Sequence, residues 1–167
     1  EELVALAEAA AEFDGVYISH MRSEGDRLLE AVRELITIVE QADIPAEIYH
    51  LKAAGRKNWH KLDQVIELID SARESGLKIS TNMYTYTGAS TGVGACFPPW
   101  VQEGTDEEWV DRLRIDSVRM KVISEIQQEN TDWENFFTAA GDPSNILLLG
   151  FDNDSLQKYM GMRFFYY

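Results

Sequence analysis

The sequence has 167 residues, of which 45% are hydrophobic and 11% aromatic, and 29 acidic residues outnumber 15 basic ones to give a net charge of −14. This length and composition are typical of one globular domain and exclude wholesale disorder. The acidic balance argues against a nucleic-acid partner, because such binding begins with Lys and Arg neutralising phosphates. With no run of about 18 apolar residues, no membrane-spanning helix is expected. The single cysteine, Cys96, cannot form an internal disulfide, which fits either a reducing compartment or indifference to redox conditions, and we expect a cytoplasmic location.

The first half of the chain alternates helix and strand patterns. Three helix patterns are present, over residues 3–12, 28–39 and 62–72. Three short β-branched or aromatic runs follow them in turn, at residues 16–19, 46–49 and 77–83. Each step from strand to strand is about 30 residues, the size of a βαβ unit. This order predicts parallel strands joined by right-handed crossovers.

The second half of the chain has a different pattern. Residues 87–104 are rich in Gly and Pro and predict a long irregular segment. Thr105 and Glu108 have the spacing of a capping box at the start of a helix. The predicted elements are a helix from residue 106 to about 130, broken near Asp116, a short helix over 133–140 and a strand over 145–149. We therefore predict an α/β barrel or open sheet, followed by a mostly helical part.

Two of the three histidines, His20 and His50, each close a predicted strand at its carboxyl end. Active sites of α/β barrels and doubly wound sheets are built at that edge. The interval of 50 − 20 = 30 residues is one βα unit, so both imidazoles should lie on adjacent strands, about 5 Å apart, where they can share a metal ion. Side-chain alternation places Arg22 on the face of His20 and Lys52 on the face of His50.

Two phenols, Tyr84 and Tyr86, share a face at the end of the third predicted strand. Histidines, cations and phenols at one mouth predict a site for a metal ion and an anionic substrate. Each of these residues also has an alternative role. The histidines could be hydrogen-bonded structural residues, Lys52 and Arg22 could be solvated surface charges, and the two tyrosines could be core or edge aromatics. We expect His60 to lie on the surface and Cys96 to be a buried, inert thiol.

Three segments carry motifs that resemble those of one enzyme family. Residues 15–26 contain a His-x-Arg-x-Glu segment, residues 45–52 contain His-x-Lys after a strand, and residues 82–91 are similar to Asp-x-Tyr-Pro-Tyr-x-Ala-Gly-Ser-Thr. These motifs, and the histidine interval, resemble the N-acyl-D-amino-acid deacylases, or D-aminoacylases, of the amidohydrolase superfamily. The resemblance extends from residue 1 to about residue 158.

The resemblance implies a zinc-dependent hydrolase with a TIM (β/α)8 barrel fold, of which this chain is an internal fragment. His20 and His50 would be the zinc ligands from the fifth and sixth strands. Lys52 and Tyr84 would bind the carboxylate of a small-molecule substrate, an N-acyl-D-amino acid. The products would be a carboxylic acid and a D-amino acid.

The family pattern also implies supporting residues and a division into domains. Arg22 and Glu24 match the motif and would support the metal ligands from behind. Residues 1–87 would be the partial barrel, about strands five to seven. Residues 88–167 would be a small helical insertion that helps cover the active site.

The sequence departs from the family pattern at several positions. The His-x-His pair and the metal-binding cysteine of the family are absent here, and the catalytic Asp would fall beyond residue 167. Asn82, Thr85 and Tyr49 stand where the family has Asp, Pro and, commonly, Ser. We therefore expect no catalytic residue within this chain and no activity from the fragment alone. The alternatives are another amidohydrolase, such as a dihydropyrimidinase-like cyclic amidase, and a non-catalytic truncated remnant.

Overall fold

A computed structural model describes residues 1–129 and 131–164. The chain divides into two compact units, Glu1–Ala89 and Ser90–Tyr167. Among the helices of the described residues, none has the length and apolar character needed to cross a bilayer.

The first unit alternates helices with parallel strands. Its elements are α1 (Glu2–Ala11), β1 (Tyr17–Ser19), α2 (Leu28–Ala42), β2 (Ala46–Ile48), a 3-10 helix (Arg56–Lys61), α3 (Leu62–Glu74) and β3 (Ile79–Thr81). The strands pair in parallel in the order β1-β2-β3. The predicted α/β class is confirmed, although each strand has only three residues. That these strands belong to a barrel stays a prediction.

One main apolar core holds this unit together. Buried side chains of α2 recur at helical spacing at Leu28, Val32, Leu35 and Val39, so one face of the helix is withdrawn from water. They form a cluster with buried residues of β2, α3 and β3, namely Ala46, Ile48, Val65, Ile69 and Ile79. The helices therefore hold β2 and β3 from one side, and because β1 pairs in parallel with β2, the segments that follow these strands leave the sheet at one edge.

Asp26 ties the loop that follows β1 to the 3-10 helix before α3. Its Oδ2 accepts a hydrogen bond from Lys57 Nζ at 2.8 Å, and its Oδ1 accepts one from Asn58 Nδ2 at 3.1 Å. Asn58 is buried and also donates to the carbonyl oxygen of Ala54 at 2.8 Å. The carboxylate of Asp26 thus joins two loops at the carboxyl edge of the sheet.

We expect Asp26→Asn to flatten the acid dependence of stability. Hydrogen bonding from Lys57 holds the pKa of Asp26 below its ordinary value of 3.8. Ionised Asp26 therefore stabilises the fold above that ordinary value, and this contribution is lost as the pH falls through the lower folded pKa. The side chain is 54% exposed, so the loss at pH 7 should be at most about 1 kcal/mol. Denaturant unfolding at pH 7 and pH 3 measures the difference.

A suitable control for that experiment is Asp70→Asn, which removes a surface pair with Arg73 on α3. This variant should leave the contribution of Asp26 intact. If Asp26→Asn and the unsubstituted chain lose the same free energy of unfolding between the two pH values, the Lys57 contact does not hold in solution.

The second unit consists mainly of helices and turns. Its elements are 3-10 turns at Val93–Cys96 and Pro99–Gln102, α4 (Asp106–Arg114), α5 (Asp116–Ile126), α6 (Phe136–Ala139) and 3-10 segments at Pro143–Asn145 and Asp154–Tyr159. The predicted capping box is confirmed, because Thr105 Oγ1 accepts from the Glu108 N–H and Glu108 Oε2 accepts from the Thr105 N–H. The predicted break near Asp116 is also confirmed. The roles predicted for residues 1–87 and 88–167, barrel and lid, stay predictions.

The strand predicted over residues 145–149 is wrong. Within the described part of this unit, Leu147 forms an isolated antiparallel bridge with Arg163, and this bridge does not extend into a ladder. Leu147 and Leu149 are 45% and 59% exposed. Backbone hydrogen bonds do join Ile146 and Leu148 to residues 161–164, but a strand also needs a packed layer over its side chains, and none of the residues in this run is buried. The predicted helix end at residue 130 lies outside the described residues.

Candidate active site

The two histidines meet at the carboxyl ends of neighbouring strands. His20 directly follows β1, and His50 follows β2 by two residues, where Ser19 and Ile48 are in register. His20 Nδ1 lies 3.2 Å from His50 Nε2, and the ring centroids are 4.9 Å apart. This geometry agrees with the adjacent placement predicted from the 30-residue interval.

A turn after β2 orients His50. Its φ angle is 39°, in the left-handed region that few residues other than glycine adopt and that His tolerates better than most. Asn82 Oδ1 accepts the backbone N–H of His50 at 2.7 Å, and the Asn82 carbonyl accepts the N–H of Leu51 at 2.9 Å. The chain after β3 therefore holds the turn that carries His50. Asn82 differs from the residue of the family motif, and the motif did not indicate this role for it.

A buried carboxylate, Glu24, is shared by the histidines and the lysine. Glu24 is 2% exposed. Its Oε1 lies 3.4 Å from His20 Nδ1, 2.9 Å from His50 Nδ1 and 2.5 Å from Lys52 Nζ. Buried charges are tolerated where they are paired and hydrogen-bonded. Glu24, to which the family pattern gave only a supporting place, lies at the centre of the cluster.

Lys52 and Tyr84 form the donor side of the cluster. Lys52 Nζ is 2.8 Å from His50 Nδ1 and lies 5.6 Å from the centroid of the Tyr84 ring. Burial, and next the charge of Glu24, raise the pKa of Tyr84 above its ordinary value of 10.0, so the phenol keeps its proton near neutral pH. An ammonium group and a protonated phenol are both hydrogen-bond donors, and such donors bind carboxylates.

Arg22 lies apart from this cluster. Its guanidinium makes a bidentate pair with Glu34 of α2, with Nε 2.8 Å from Oε2 and Nη2 2.9 Å from Oε1. The alternation that predicted a shared face with His20 does not apply, because β1 ends at Ser19. The side chain of Arg22 is 67% exposed and pairs with Glu34. Its predicted support of the metal ligands therefore stays a prediction.

Three further residues from the sequence analysis lie away from these contacts. Tyr86 is 80% exposed, and His60 is exposed on the 3-10 helix. Cys96 belongs to the second unit, where burial raises the pKa of its thiol. A raised pKa lowers the thiolate fraction, but Cys96 is only partly buried, so the inert, buried thiol stays a prediction.

The donor atoms have the spacing that a zinc ion needs. Zinc bonds of about 2.0–2.2 Å at tetrahedral angles separate two donor atoms by about 3.3–3.6 Å. His20 Nδ1 lies 3.2 Å from His50 Nε2 and 3.4 Å from Glu24 Oε1. Within residues 1–129 and 131–164, His20, Glu24 and His50 are the one group of three such side chains close enough to hold a metal ion.

Curated proteins similar to this chain are deacylases. An N-acyl-D-glutamate deacylase from Alcaligenes xylosoxydans xylosoxydans is 33% identical over 90 residues, which are 54% of this chain and 18% of that protein. A D-aminoacylase from the same organism is 30% identical over 91 residues, 54% of this chain and 19% of that protein. The chain therefore spans about a fifth of the length of these relatives. No protein-family model matches it.

Solved structures agree with these relatives. An N-acyl-D-glutamate deacylase from Bordetella bronchiseptica, complexed with zinc and a phosphonate mimic of the tetrahedral intermediate, is 34% identical with a TM-score of 0.53, covering 54% of this chain and 19% of that one. A mutant D-aminoacylase in complex with CuCl2 is 26% identical with a TM-score of 0.54, covering 75% and 29%. The resemblance predicted from the motifs is confirmed.

Proposed function

We propose that this chain carries part of the active site of a zinc-dependent N-acyl-D-amino-acid deacylase, which hydrolyses a linear amide to a carboxylic acid and a D-amino acid. The observation that carries this proposal is the cluster at the sheet edge. Two imidazole nitrogens that could bind a metal ion lie 3.2 Å apart, beside an ammonium group and a phenol. The chain that carries them is similar to two deacylases.

His20 and His50 would hold the zinc ion in this proposal. The Nδ1 of His50 would donate to Glu24 at 2.9 Å, which leaves Nε2 of that ring facing His20. Zinc bound there supplies polarisation of the amide carbonyl and a bound water of lowered pKa. Glu24 is engaged by His50 and Lys52 in this arrangement, which leaves two of the three protein ligands of a catalytic zinc site. We therefore propose that parts of the enzyme outside these 167 residues add a ligand and the general base.

Lys52 and Tyr84 would bind the substrate carboxylate. Lys52 is held near the histidines by Glu24 Oε1 and by the carbonyl oxygen of His50, and the Tyr84 ring lies 5.6 Å from its Nζ. A carboxylate fixed at this point sets the distance of the amide bond from the metal ligands, and such positioning contributes to the rate. It also restricts which face of the Cα atom is presented, which would select one stereoisomer.

A chimeric enzyme tests this proposal. The segment of the N-acyl-D-glutamate deacylase that matches this chain over 90 residues would be replaced by the corresponding residues of this chain. We expect the chimera to bind zinc and to hydrolyse N-acetyl-D-glutamate. Lys52→Ala in the chimera should lower kcat/KM by about 10- to 100-fold, the effect of a lost charge-assisted hydrogen bond, while zinc content is unchanged.

Lys57→Ala is the matched control, because Lys57 is an exposed lysine paired with Asp26. It should leave kcat/KM within about twofold of the parent, as is usual for a surface substitution. A folded, zinc-loaded chimera without deacylase activity would contradict the proposal. Parallel loss of zinc and activity in Lys52→Ala would make Lys52 structural, and hydrolysis of dihydrouracil alone would favour a cyclic amidase.

A further inference from the structure

We propose that Glu24 is a positioning residue that joins the metal-binding half of the site to its carboxylate-binding half. This inference rests on the proposed function. It assigns to Glu24 more than support of a histidine, because the same oxygen atom also fixes the lysine that would bind the substrate.

The geometry of one atom carries this inference. Glu24 Oε1 lies 2.9 Å from His50 Nδ1 and 2.5 Å from Lys52 Nζ. The side chain of Glu24 is 3% exposed, against 25% for His50 and 20% for Lys52. A carboxylate this deeply packed has little freedom to follow either partner separately, so a shift of its position moves both halves of the site together.

Fixing Lys52 in advance favours anion binding. A free lysine side chain loses rotamer entropy when it is ordered by a ligand. In this fold Glu24 Oε1 and the carbonyl oxygen of His50, at 3.1 Å from Nζ, already hold the ammonium.

The pair of Arg22 and Glu34 offers a comparison within the same unit. It is also a cation–carboxylate contact, at 2.8 Å, but its side chains are 67% and 39% exposed. Exposed pairs contribute little to stability, and this one touches neither His20 nor His50. Glu34 is therefore the matched control for Glu24.

A purely structural role for Glu24 predicts a different result from a positioning role. As a buried counter-ion for Lys52 alone, Glu24 would affect the free energy of unfolding but leave the zinc affinity of the folded chain unchanged. As a positioning residue, it affects zinc binding and carboxylate binding together, and the loss in carboxylate binding depends on Lys52.

Calorimetric titration of the 167-residue chain with Zn²⁺, and then with N-acetyl-D-glutamate, separates the two roles. We expect Glu24→Gln to weaken zinc binding by about 10- to 100-fold, the usual effect of losing a partner of a metal-binding histidine. Binding of N-acetyl-D-glutamate should also weaken. Lys52→Ala should weaken only the second. The double variant should bind N-acetyl-D-glutamate no worse than Lys52→Ala, because coupled residues are not additive.

Each outcome of this titration decides a different point. Glu34→Gln should change neither affinity. If the unsubstituted chain binds neither ligand, the comparison passes to the chimera: unchanged zinc content and unchanged KM in its Glu24→Gln variant overturn the positioning role, whereas a folded, zinc-loaded chimera without deacylase activity overturns the proposed function. If the unsubstituted chain binds both ligands, and Glu24→Gln binds both equally well with only a lower melting temperature, the positioning role fails and the proposed function stands. If Glu24→Gln does not fold, Glu24→Asp, which keeps the charge and withdraws the oxygen by one methylene, should give the same two losses, and unchanged affinities overturn the inference.

Discussion

Replacing His50 with asparagine is expected to weaken Zn²⁺ binding to this chain by roughly 100-fold or more, beyond the 10- to 100-fold that follows loss of an outer partner. The imidazole Nε2 that lies 3.2 Å from His20 Nδ1 is removed, and the shorter, neutral amide is a poor zinc ligand. For this experiment asparagine is a better replacement than alanine. It tolerates the left-handed backbone, φ 39°, that His50 adopts, so the turn after β2 is retained.

The third histidine provides the control for this measurement. His60 is exposed on the 3-10 helix before α3 and is absent from the group of metal-ligating side chains found among the described residues. His60→Asn should bind zinc as the unsubstituted chain does. Equal affinities for all three proteins in a competition assay with a chromophoric chelator would show that the zinc site lies elsewhere or does not form.

Sequence spacing predicted the meeting of the two imidazoles but not the position of Glu24. His20 and His50 follow paired strands, and the geometry of a parallel sheet brings such positions together whatever the loops do. Glu24 and Arg22 lie in the loop between β1 and α2, where neither the strand period nor the helix period fixes side-chain direction. Tertiary contacts decide there, so one turns into the cluster and the other pairs with Glu34.

The fold shows the same difference between elements that nearby residues determine and elements that depend on distant partners. Helices α2 and α3 and the capping box at Thr105 follow from residues near one another in sequence, and all were predicted. Strands depend on partners distant in the chain. For this reason the strand predicted over 77–83 is reduced to Ile79–Thr81, and the run at 145–149 makes only a short antiparallel pairing with residues 161–164, centred on the bridge between Leu147 and Arg163.

Ile48→Ala is expected to lower the free energy of unfolding by about 3 kcal/mol, within the range for truncating a fully buried aliphatic side chain. Ile48 is 0% exposed and belongs to the main core cluster. It also ends β2, where its carbonyl accepts the N–H of Asn82 at 3.2 Å. Denaturant unfolding measures the loss. Zinc affinity of the folded variant should fall less than in His50→Asn, because both imidazoles remain.

Ile18→Ala is the matched control, and it also examines the open face of the sheet. Ile18 lies in the neighbouring strand and is 54% exposed, so its truncation should change the free energy of unfolding by no more than about 0.5 kcal/mol. Alternation along β1 directs this side chain away from the helices, toward the face that a closed barrel would fill with side chains. A loss as large as that of Ile48→Ala would contradict the exposure seen here. It would show that other residues pack on that face in solution, which is the arrangement that the partial-barrel prediction requires of the complete enzyme.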